Sequence, residues 1–286
     1  MPIPSSELVL NADGSIYHLH LLPEQIAPTI ITVGDPDRVS AVSRHFDRMD
    51  CQVQKREFVT HTGYVGNKRL TVISTGIGTD NIDIVLNELD ALVNIDLHSR
   101  LPKSTITPLT IVRLGTSGGL QPDIPVHSIV ASAAGVGFDG LMHYYKYQTD
   151  DIETNLAKAF GQLENGMSPY FSTASPELLQ KIAHDVVQGM TATCSGFYGP
   201  QGRRLRLEPR IPDLLDRLQV FSHANYRFTN LEMETAGIYA LAKALGHQAL
   251  SLNVILANRP RGEFSQDPKA AVEKLITWAL ERIVAL

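Results

Sequence analysis

One apolar run constrains the fold of this chain more than any other, the run from residue 107 to 114. Its charged residue is Arg113, and Gly115-Thr116-Ser117-Gly118-Gly119 follows directly. The run predicts a buried strand, and an arginine in such a strand is costly to bury unless it meets an anion. Glycines let backbone N–H groups approach a ligand closely. We therefore expect a strand that ends in a glycine turn with an anion site; the alternative is an ordinary tight turn with Arg113 in solvent.

The same glycine stretch also fits G-x-S-x-G, the nucleophile elbow of serine hydrolases, with Ser117 as the nucleophile. That motif requires a helix directly after the serine. Here Gly118, Gly119 and Pro122 follow, and they are poor helix formers. The sequence therefore favours the anion site over the hydrolase elbow.

Composition narrows the class of protein. The 286 residues are 43% hydrophobic with a net charge of −5, which is typical of a globular protein and gives no sign of nucleic-acid binding. Cys51 and Cys194 form no CxxC pair, and the ten histidines lack metal-ligand spacing. Because no signal peptide or apolar membrane span is evident either, we expect a soluble, cytoplasmic protein with no metal site.

Strand-like and helix-like segments alternate along the chain, which is typical of α/β proteins. No linker or repeat divides it, so we predict a single domain, 1–286, with a central mixed sheet flanked by helices. Predicted strands are 29–33, 56–62, 69–74, 107–114, 123–133, 191–195 and 249–256; predicted helices begin near 36 and span 80–97, 176–187, 211–220, 230–245 and 268–286.

Gly34-Asp35-Pro36-Asp37-Arg38 follows the first predicted strand. Aspartate suits a helix cap and proline suits the first helical turn, so Gly34 and Arg38 should lie beside a helix N-terminus, where anions bind well. Arg38, Arg56 and Arg113 each adjoin a strand-like run, and arginine forks match phosphate oxygens. Ordinary surface arginines are the alternative.

Two later groups have hydrogen-bonding potential. Glu232 and Glu234 begin a predicted apolar helix, where they either complement the helix dipole or accept hydrogen bonds from a hydroxyl-rich ligand. Phe197, Gln201 and Arg203 share a turn-rich loop and fit the amide edge and face of a cyclic base, or belong to a solvated loop.

In this order, the motifs resemble the nucleoside phosphorylase superfamily, and within it the uridine phosphorylases. The resemblance spans residues 18 to 259. Its matching strings are 34–38, 56–58, 74–78, 113–118, 197–203, 232–234 and 258–259.

The resemblance implies a pentosyltransferase that converts uridine, or another pyrimidine nucleoside, and phosphate to the base and ribose 1-phosphate in pyrimidine salvage. It implies no cofactor besides phosphate as co-substrate. It also implies a homo-oligomer, at minimum a dimer and often a hexamer, because two subunits complete each site in this family.

By motif, the implied phosphate ligands are Gly34, Arg38, Arg113 and Thr116, joined by Arg56 from the neighbouring subunit. The implied ribose ligands are His18 from the neighbouring subunit, at the 5′-hydroxyl, and Met233 and Glu234.

The implied base ligands are Phe197, Gln201 and Arg203. The residues implied in catalysis are Arg113, Gln201, Arg203 and Glu234. Phosphate stabilises the positive charge that develops on the ribose, and Gln201 and Arg203 stabilise the negative charge on the base.

Some positions depart from the family pattern. The late loop 256–259 lacks the acid of purine-specific relatives, which disfavours purines, and Leu231 stands where some uridine enzymes have a tyrosine. The family's monovalent cation between subunits is matched at Glu57 and Ile77, but Asn81 replaces the serine and counts against it. Segments 134–165 and 204–228 match poorly.

The alternatives that remain are a purine nucleoside phosphorylase, a nucleosidase that uses water, and a non-catalytic nucleoside-binding protein. Arg38 and Arg113 argue against the nucleosidase, which has no need of a phosphate site.

Overall fold

A computed structural model describes residues 1–164 and 166–286, and its fold is α/β with mixed strand pairing. The chain divides into two compact units. The first unit is formed by Met1–Val112 with Leu241–Gln248, and the second by Arg113–Ala240 with Ala249–Leu286.

The first unit contains a mixed sheet with the strand order β1-β4-β3-β2. β1 pairs parallel with β4, and the other two pairings are antiparallel. Its elements are β1 (Thr29–Val33), α1 (Pro36–Ser43), β2 (Arg48–Lys55), β3 (Phe58–Val65), β4 (Lys68–Ser74), α2 (Thr79–Asn94), β5 (Ile95–Asp96) and β6 (Leu101–Pro102).

Helix α1 begins where the sequence indicates. The Asp35 side chain accepts a hydrogen bond from the backbone N–H of Asp37 at 3.0 Å, and Pro36 is the first helical residue. All five residues of β1 are buried, as expected for a run of β-branched side chains. The buried apolar side chains of α1, α2, β1 and β4 include Ile30, Ile31, Val39, Val42, Leu70, Val72, Ile82, Val85, Leu86 and Leu89.

The elements of the second unit are, in chain order, β7 (Thr110–Gly119), β8 (Ile129–Gly137), α3 (Asp151–Phe160), β9 (Tyr170–Thr173), α4 (Pro176–Ile182), β10 (Val187–Thr193), α5 (Leu214–Val220), β11 (Ser222–His223), β12 (Tyr226–Glu232), α6 (Thr235–Leu245), β13 (Gln248–Asn258), β14 (Glu263–Phe264) and α7 (Pro268–Val284). The first residues of β7 and β13 and the end of α6 belong to the first unit.

The strands of the second unit close on themselves. Their order is β12-β10-β8-β13-β7, and β7 pairs back onto β12, with Gly118 opposite Leu231 and Gly119 opposite Asn230. This closure brings the end of β7 beside the end of β12. The core of the unit includes a set of edge-on aromatic contacts made by Phe160 with Phe138, Phe171, Phe221 and Phe228.

Two predicted element boundaries are wrong at positions that matter for function. The predicted turn at 115–119 is the second half of strand β7, in which Gly118 and Gly119 pair with β12. The predicted helix from 230 begins at Thr235; residues 230–232 form the end of β12, and Met233 and Glu234 connect the strand to the helix. Ser117 is therefore a buried strand residue that accepts a hydrogen bond from Asn230 Nδ2 at 2.9 Å.

Within the described residues, none of the helices combines the length and apolarity that a membrane crossing requires.

Candidate active site

Arg113 is buried in β7, with its side chain 6% exposed, and its guanidinium is surrounded by acceptors of the second unit. Nη2 contacts a carboxylate oxygen of Glu234 and lies 3.2 Å from Glu232 Oε2. Nη1 donates to Asn253 Oδ1 at 2.7 Å. The cost of burying the Arg113 guanidinium is therefore offset by contacts with three side chains, which come from β12, the β12–α6 junction and β13.

Gly115 makes room for this arginine. Residues 113 and 115 point to the same face of a strand, and a Cβ built on Gly115 would collide with the Arg113 guanidinium. It would also lie 2.6 Å from Asn253 Oδ1. The glycine is needed here for close packing of a side chain, whereas the sequence suggested a turn.

Glu232 ties the end of β12 to the start of α6. Its carboxylate accepts hydrogen bonds from the backbone N–H of Glu234 at 3.0 Å and of Thr235 at 3.0 and 3.1 Å. It also accepts from Thr193 Oγ1 at 2.8 Å, which in turn accepts from the N–H of Ala236 at 2.9 Å. These bonds satisfy donors at the helix N-terminus and fix the position of Glu234.

The electrostatics of this cluster are strongly coupled. Burial raises the pKa of Glu232 to about 7, with the Glu234 charge adding to the rise and Arg113 opposing it. Burial disfavours the charged form of Arg113, but Glu232 and Glu234 outweigh it and the pKa of the guanidinium is raised. Arg113 thus stays a cation, and the carboxylates of Glu232 and Glu234 offset its charge.

Gln201 and Arg203 lie together in the second unit, as the sequence predicts. Arg203 Nη1 donates to Gln201 Oε1 and to the carbonyl of Phe197, both at 2.5 Å. The Arg203 guanidinium lies 3.6 Å from the centroid of the Phe197 ring. Gln201 is buried and Phe197 is half exposed, so the group presents a flat ring beside an amide and a cation.

A second arginine joins this group. Arg259 Nη1 donates to the carbonyl of Gln201 at 3.3 Å. Burial lowers the pKa of both Arg203 and Arg259, and for Arg203 the nearby charge of Arg259 adds to the effect. Two adjacent cations favour a ligand edge that carries negative charge.

A cavity of about 740 Å³ adjoins Arg203 and Tyr198. Its walls include Phe138 and the loop that carries Leu205 and Leu207, whose side chains are largely exposed. This loop lies in segment 204–228, which matches the family motifs poorly.

The remaining predicted phosphate ligands occupy different parts of the chain. Gly34 follows β1 directly, and Arg38 is the third residue of α1 in the first unit. Arg56 is exposed in the turn between β2 and β3, in the left-handed backbone region with φ of +56°. Thr116 is a half-buried residue of β7 in the second unit.

The predicted ribose ligands are also split. Met233 is half buried and Glu234 is buried at the β12–α6 junction of the second unit. His18 lies in a turn of the first unit, where its Nδ1 is 2.6 Å from Glu88 Oε1.

Four further side chains contact predicted site residues, and sequence reasoning missed either the side chain or its contact. Asn253 and Glu88 lie far along the chain from the residues they contact, so no local pattern indicates them. Glu232 was recognised as part of a motif but its contact with Arg113 was not. Arg259 ends the motif at 258–259, and that motif was the signal from which it could have been found.

Among the described residues, no cluster of His, Cys, Asp and Glu is suited to hold a metal ion.

Comparisons with known proteins place these motifs in context. The model of the phosphorylase superfamily matches residues 28–285. A uridine phosphorylase of Thermococcus kodakarensis is 29% identical over 92% of this chain and 84% of its own. A DeoD-type purine nucleoside phosphorylase of Caldanaerobacter subterraneus is 27% identical over 86% of this chain and 89% of its own.

A similar fold is found among solved structures. The crystal structure of a Trypanosoma brucei nucleoside phosphorylase with uridine phosphorylase activity superposes with a TM-score of 0.87 at 29% identity, covering 98% of this chain and all of that one (100%).

Proposed function

The chain belongs to the phosphorylase superfamily, and on that premise we propose that it catalyses the phosphorolysis of uridine to uracil and ribose 1-phosphate. Uridine phosphorylases, which are glycosyltransferases, recur among its relatives. The observation that carries the proposal is the direct contact between Arg113 and Glu234. This contact supports a site in which a guanidinium that would bind phosphate lies beside a carboxylate that would accept hydrogen bonds from sugar hydroxyls.

That contact suits a reaction in which phosphate attacks the sugar. Arg113 would hold the phosphate, and Glu234 would accept hydrogen bonds from the 2′- and 3′-hydroxyls of the ribose. Holding nucleophile and sugar in adjacent positions replaces a bimolecular encounter with a fixed geometry. By motif, Gly34, Arg38 and Thr116 complete the proposed phosphate ligands.

The base would be bound by Phe197, Gln201 and Arg203. Cleavage of the glycosidic bond leaves negative charge on uracil, and the positive field of Arg203 and Arg259 favours that charge. Stabilisation of the leaving base in this way needs no covalent enzyme intermediate. Met233 would contact the apolar face of the ribose.

We also propose that the active protein is a homo-oligomer, at minimum a dimer. Arg56 and His18 would then reach the phosphate and the ribose 5′-hydroxyl of the neighbouring subunit. Phosphate is the proposed co-substrate, and no cofactor is required for this chemistry.

The test is product identification with two variants. The purified protein with uridine and phosphate should yield uracil and ribose 1-phosphate in equal amounts, the latter detected by phosphorus NMR. Free ribose in place of ribose 1-phosphate would instead indicate a nucleosidase.

Two substitutions separate the proposed subsites. Arg113→Ala should raise the KM for phosphate at least about tenfold, since a charged hydrogen bond contributes roughly 1.5–3 kcal/mol. Gln201→Ala should raise the KM for uridine and leave the KM for phosphate near the parent value. An unchanged phosphate KM in Arg113→Ala would remove Arg113 from the phosphate site.

A further inference from the structure

Glu88 makes an unusually complete set of contacts with the turn that carries His18. Its Oε1 lies 2.6 Å from His18 Nδ1, and its two oxygens accept from the backbone N–H of His18, each at 3.0 Å. Oε2 also accepts from the N–H of Leu19 at 2.8 Å. One carboxylate in helix α2 therefore fixes both the backbone and the ring of His18.

The turn is held from its other side as well. Lys55 Nζ donates to the carbonyl of Tyr17 at 2.9 Å and lies 5.0 Å from the centroid of the Tyr17 ring. The Tyr17 ring packs edge-on against the His18 ring with centroids 4.8 Å apart. Leu19, on the other side of His18, is fully buried. The histidine ring thus has a defined position although its side chain is 29% exposed.

The contact with Glu88 also decides where the proton of the imidazole lies. An ionised carboxylate can only accept hydrogen bonds, so Nδ1 must be the donor. In the neutral ring the other nitrogen, Nε2, is then a hydrogen-bond acceptor. A ligand group that meets Nε2 must bring its own proton, as a hydroxyl group does.

We propose that Glu88 is a positioning residue that presents His18 Nε2 as a hydrogen-bond acceptor and so makes the enzyme select nucleosides with a free 5′-hydroxyl. The inference rests on the proposed function, in which His18 meets the ribose 5′-hydroxyl of the neighbouring subunit. It adds a residue in the first unit that contacts no substrate atom and acts through His18.

The specificity follows from the hydrogen bond that a firmly held ring makes with the 5′-hydroxyl. A 5′-hydroxyl donates to Nε2, whereas a 5′-deoxy group leaves the acceptor without a partner. A neutral hydrogen bond of this kind corresponds to a preference of roughly tenfold for uridine over 5′-deoxyuridine in kcat/KM. We therefore use the ratio of the two kcat/KM values, the 5′-hydroxyl preference, as the readout.

The decisive variant is Glu88→Gln, compared with the matched control Glu24→Gln. The amide of glutamine keeps one acceptor oxygen, whereas Glu88 uses both carboxylate oxygens to hold the turn, so both ring tautomers become available and the His18 ring is held less firmly. A hydroxyl pairs with either tautomer, so the expected loss comes from the ring position. The 5′-hydroxyl preference should fall about threefold to tenfold in Glu88→Gln. The preference should stay at the parent value in Glu24→Gln. Glu24 is exposed, and its substitution removes the same charge without affecting the contacts of His18. An unchanged preference in Glu88→Gln overturns the proposal.

A His18→Ala background shows whether Glu88 acts through the histidine. His18→Ala alone should reduce the preference to about one, because the acceptor is gone. Adding Glu88→Gln should then change the preference no further. A second loss in the double variant would mean that Glu88 acts by another route.

The tautomer itself can be measured without turnover, by nitrogen NMR of the protein labelled in its histidines. The parent should show His18 with the proton on Nδ1, and Glu88→Gln should show a mixture. If the parent releases no uracil from uridine, the proposed function fails, and the tautomer alone decides whether Glu88 controls the ring. A proton on Nε2 in the parent would overturn the inference in either case.

Discussion

Glu232 is the residue at which the stability of the fold and the chemistry of the site meet. Its carboxylate caps α6 through Thr235 and lies 3.2 Å from Arg113, and burial raises its pKa from 4.5 to about 7. A raised pKa means that the folded state holds the proton more tightly than the unfolded chain does. The stability contributed by this proton is therefore fully present below pH 4.5 and is lost as the pH rises through about 7.

Glu232→Gln should remove this pH dependence. The free energy of unfolding of the parent, relative to that of Glu232→Gln, should fall as the pH rises from about 4.5 to about 7. Denaturant titrations at several pH values measure the difference. Glu281→Gln, which changes another carboxylate of the second unit, is the control. Parallel pH curves for the parent and Glu232→Gln would show that Glu232 does not titrate in this range.

At the scale of elements, strand β7 shows how one side chain restricts the residue type at a neighbouring position of the same strand. Gly115 is required because the Arg113 guanidinium occupies the space of its Cβ. Gly118 on the same strand has its nearest neighbour, Leu231 Cδ1, at an ordinary 3.6 Å from the Cβ position. The two glycines therefore differ in what a methyl group would do.

Gly115→Ala should lower the free energy of unfolding by about 1–3 kcal/mol and reduce phosphate use, because Arg113 must move. Gly118→Ala should change stability by less than about 1 kcal/mol. Thermal unfolding and phosphate titration of the two variants provide the comparison. Equal effects of the two substitutions would contradict the special packing at Gly115.

The sequence predicts elements well where local signals agree. Strand β1 and the start of α1 follow from a β-branched run, an aspartate cap and a proline. β2 was missed because its exposed, polar edge residues lack an apolar pattern. The second half of β7 and the start of α6 were misjudged, since strand pairing with β12 overrides the turn preference of the glycines.

The same reasoning applies to the site. Arg113 could be recognised because a charge in an apolar run needs a partner, but its partners Glu234 and Asn253 are 121 and 140 residues away. The pairing of Gln201 with Arg203 could be recognised because the two lie in one loop. The contact of His18 with Glu88 spans 70 residues, so it could not be recognised from the sequence.

At the scale of the whole molecule, the account requires that two subunits share a site. In a dimer formed by Arg56→Ala and Arg113→Ala subunits, one site would receive both intact arginines and the other would receive neither. At a phosphate concentration too low for either variant alone to turn over, co-expression of the two should therefore restore about one quarter of the parent activity in a random mixture of dimers. Each variant expressed alone is the control. Absence of any restored activity would argue that Arg56 and Arg113 do not act in one shared site.

The central claim is that the enzyme cleaves uridine and uses phosphate as the nucleophile. A nucleoside panel assayed with and without phosphate tests both parts of this claim most directly. Initial rates of base release would be measured for uridine, deoxyuridine, thymidine and inosine. We predict uracil release from uridine that depends on phosphate, and slow or no release of hypoxanthine from inosine. Cleavage of inosine in preference to uridine, or equal uracil release without phosphate, would contradict the account.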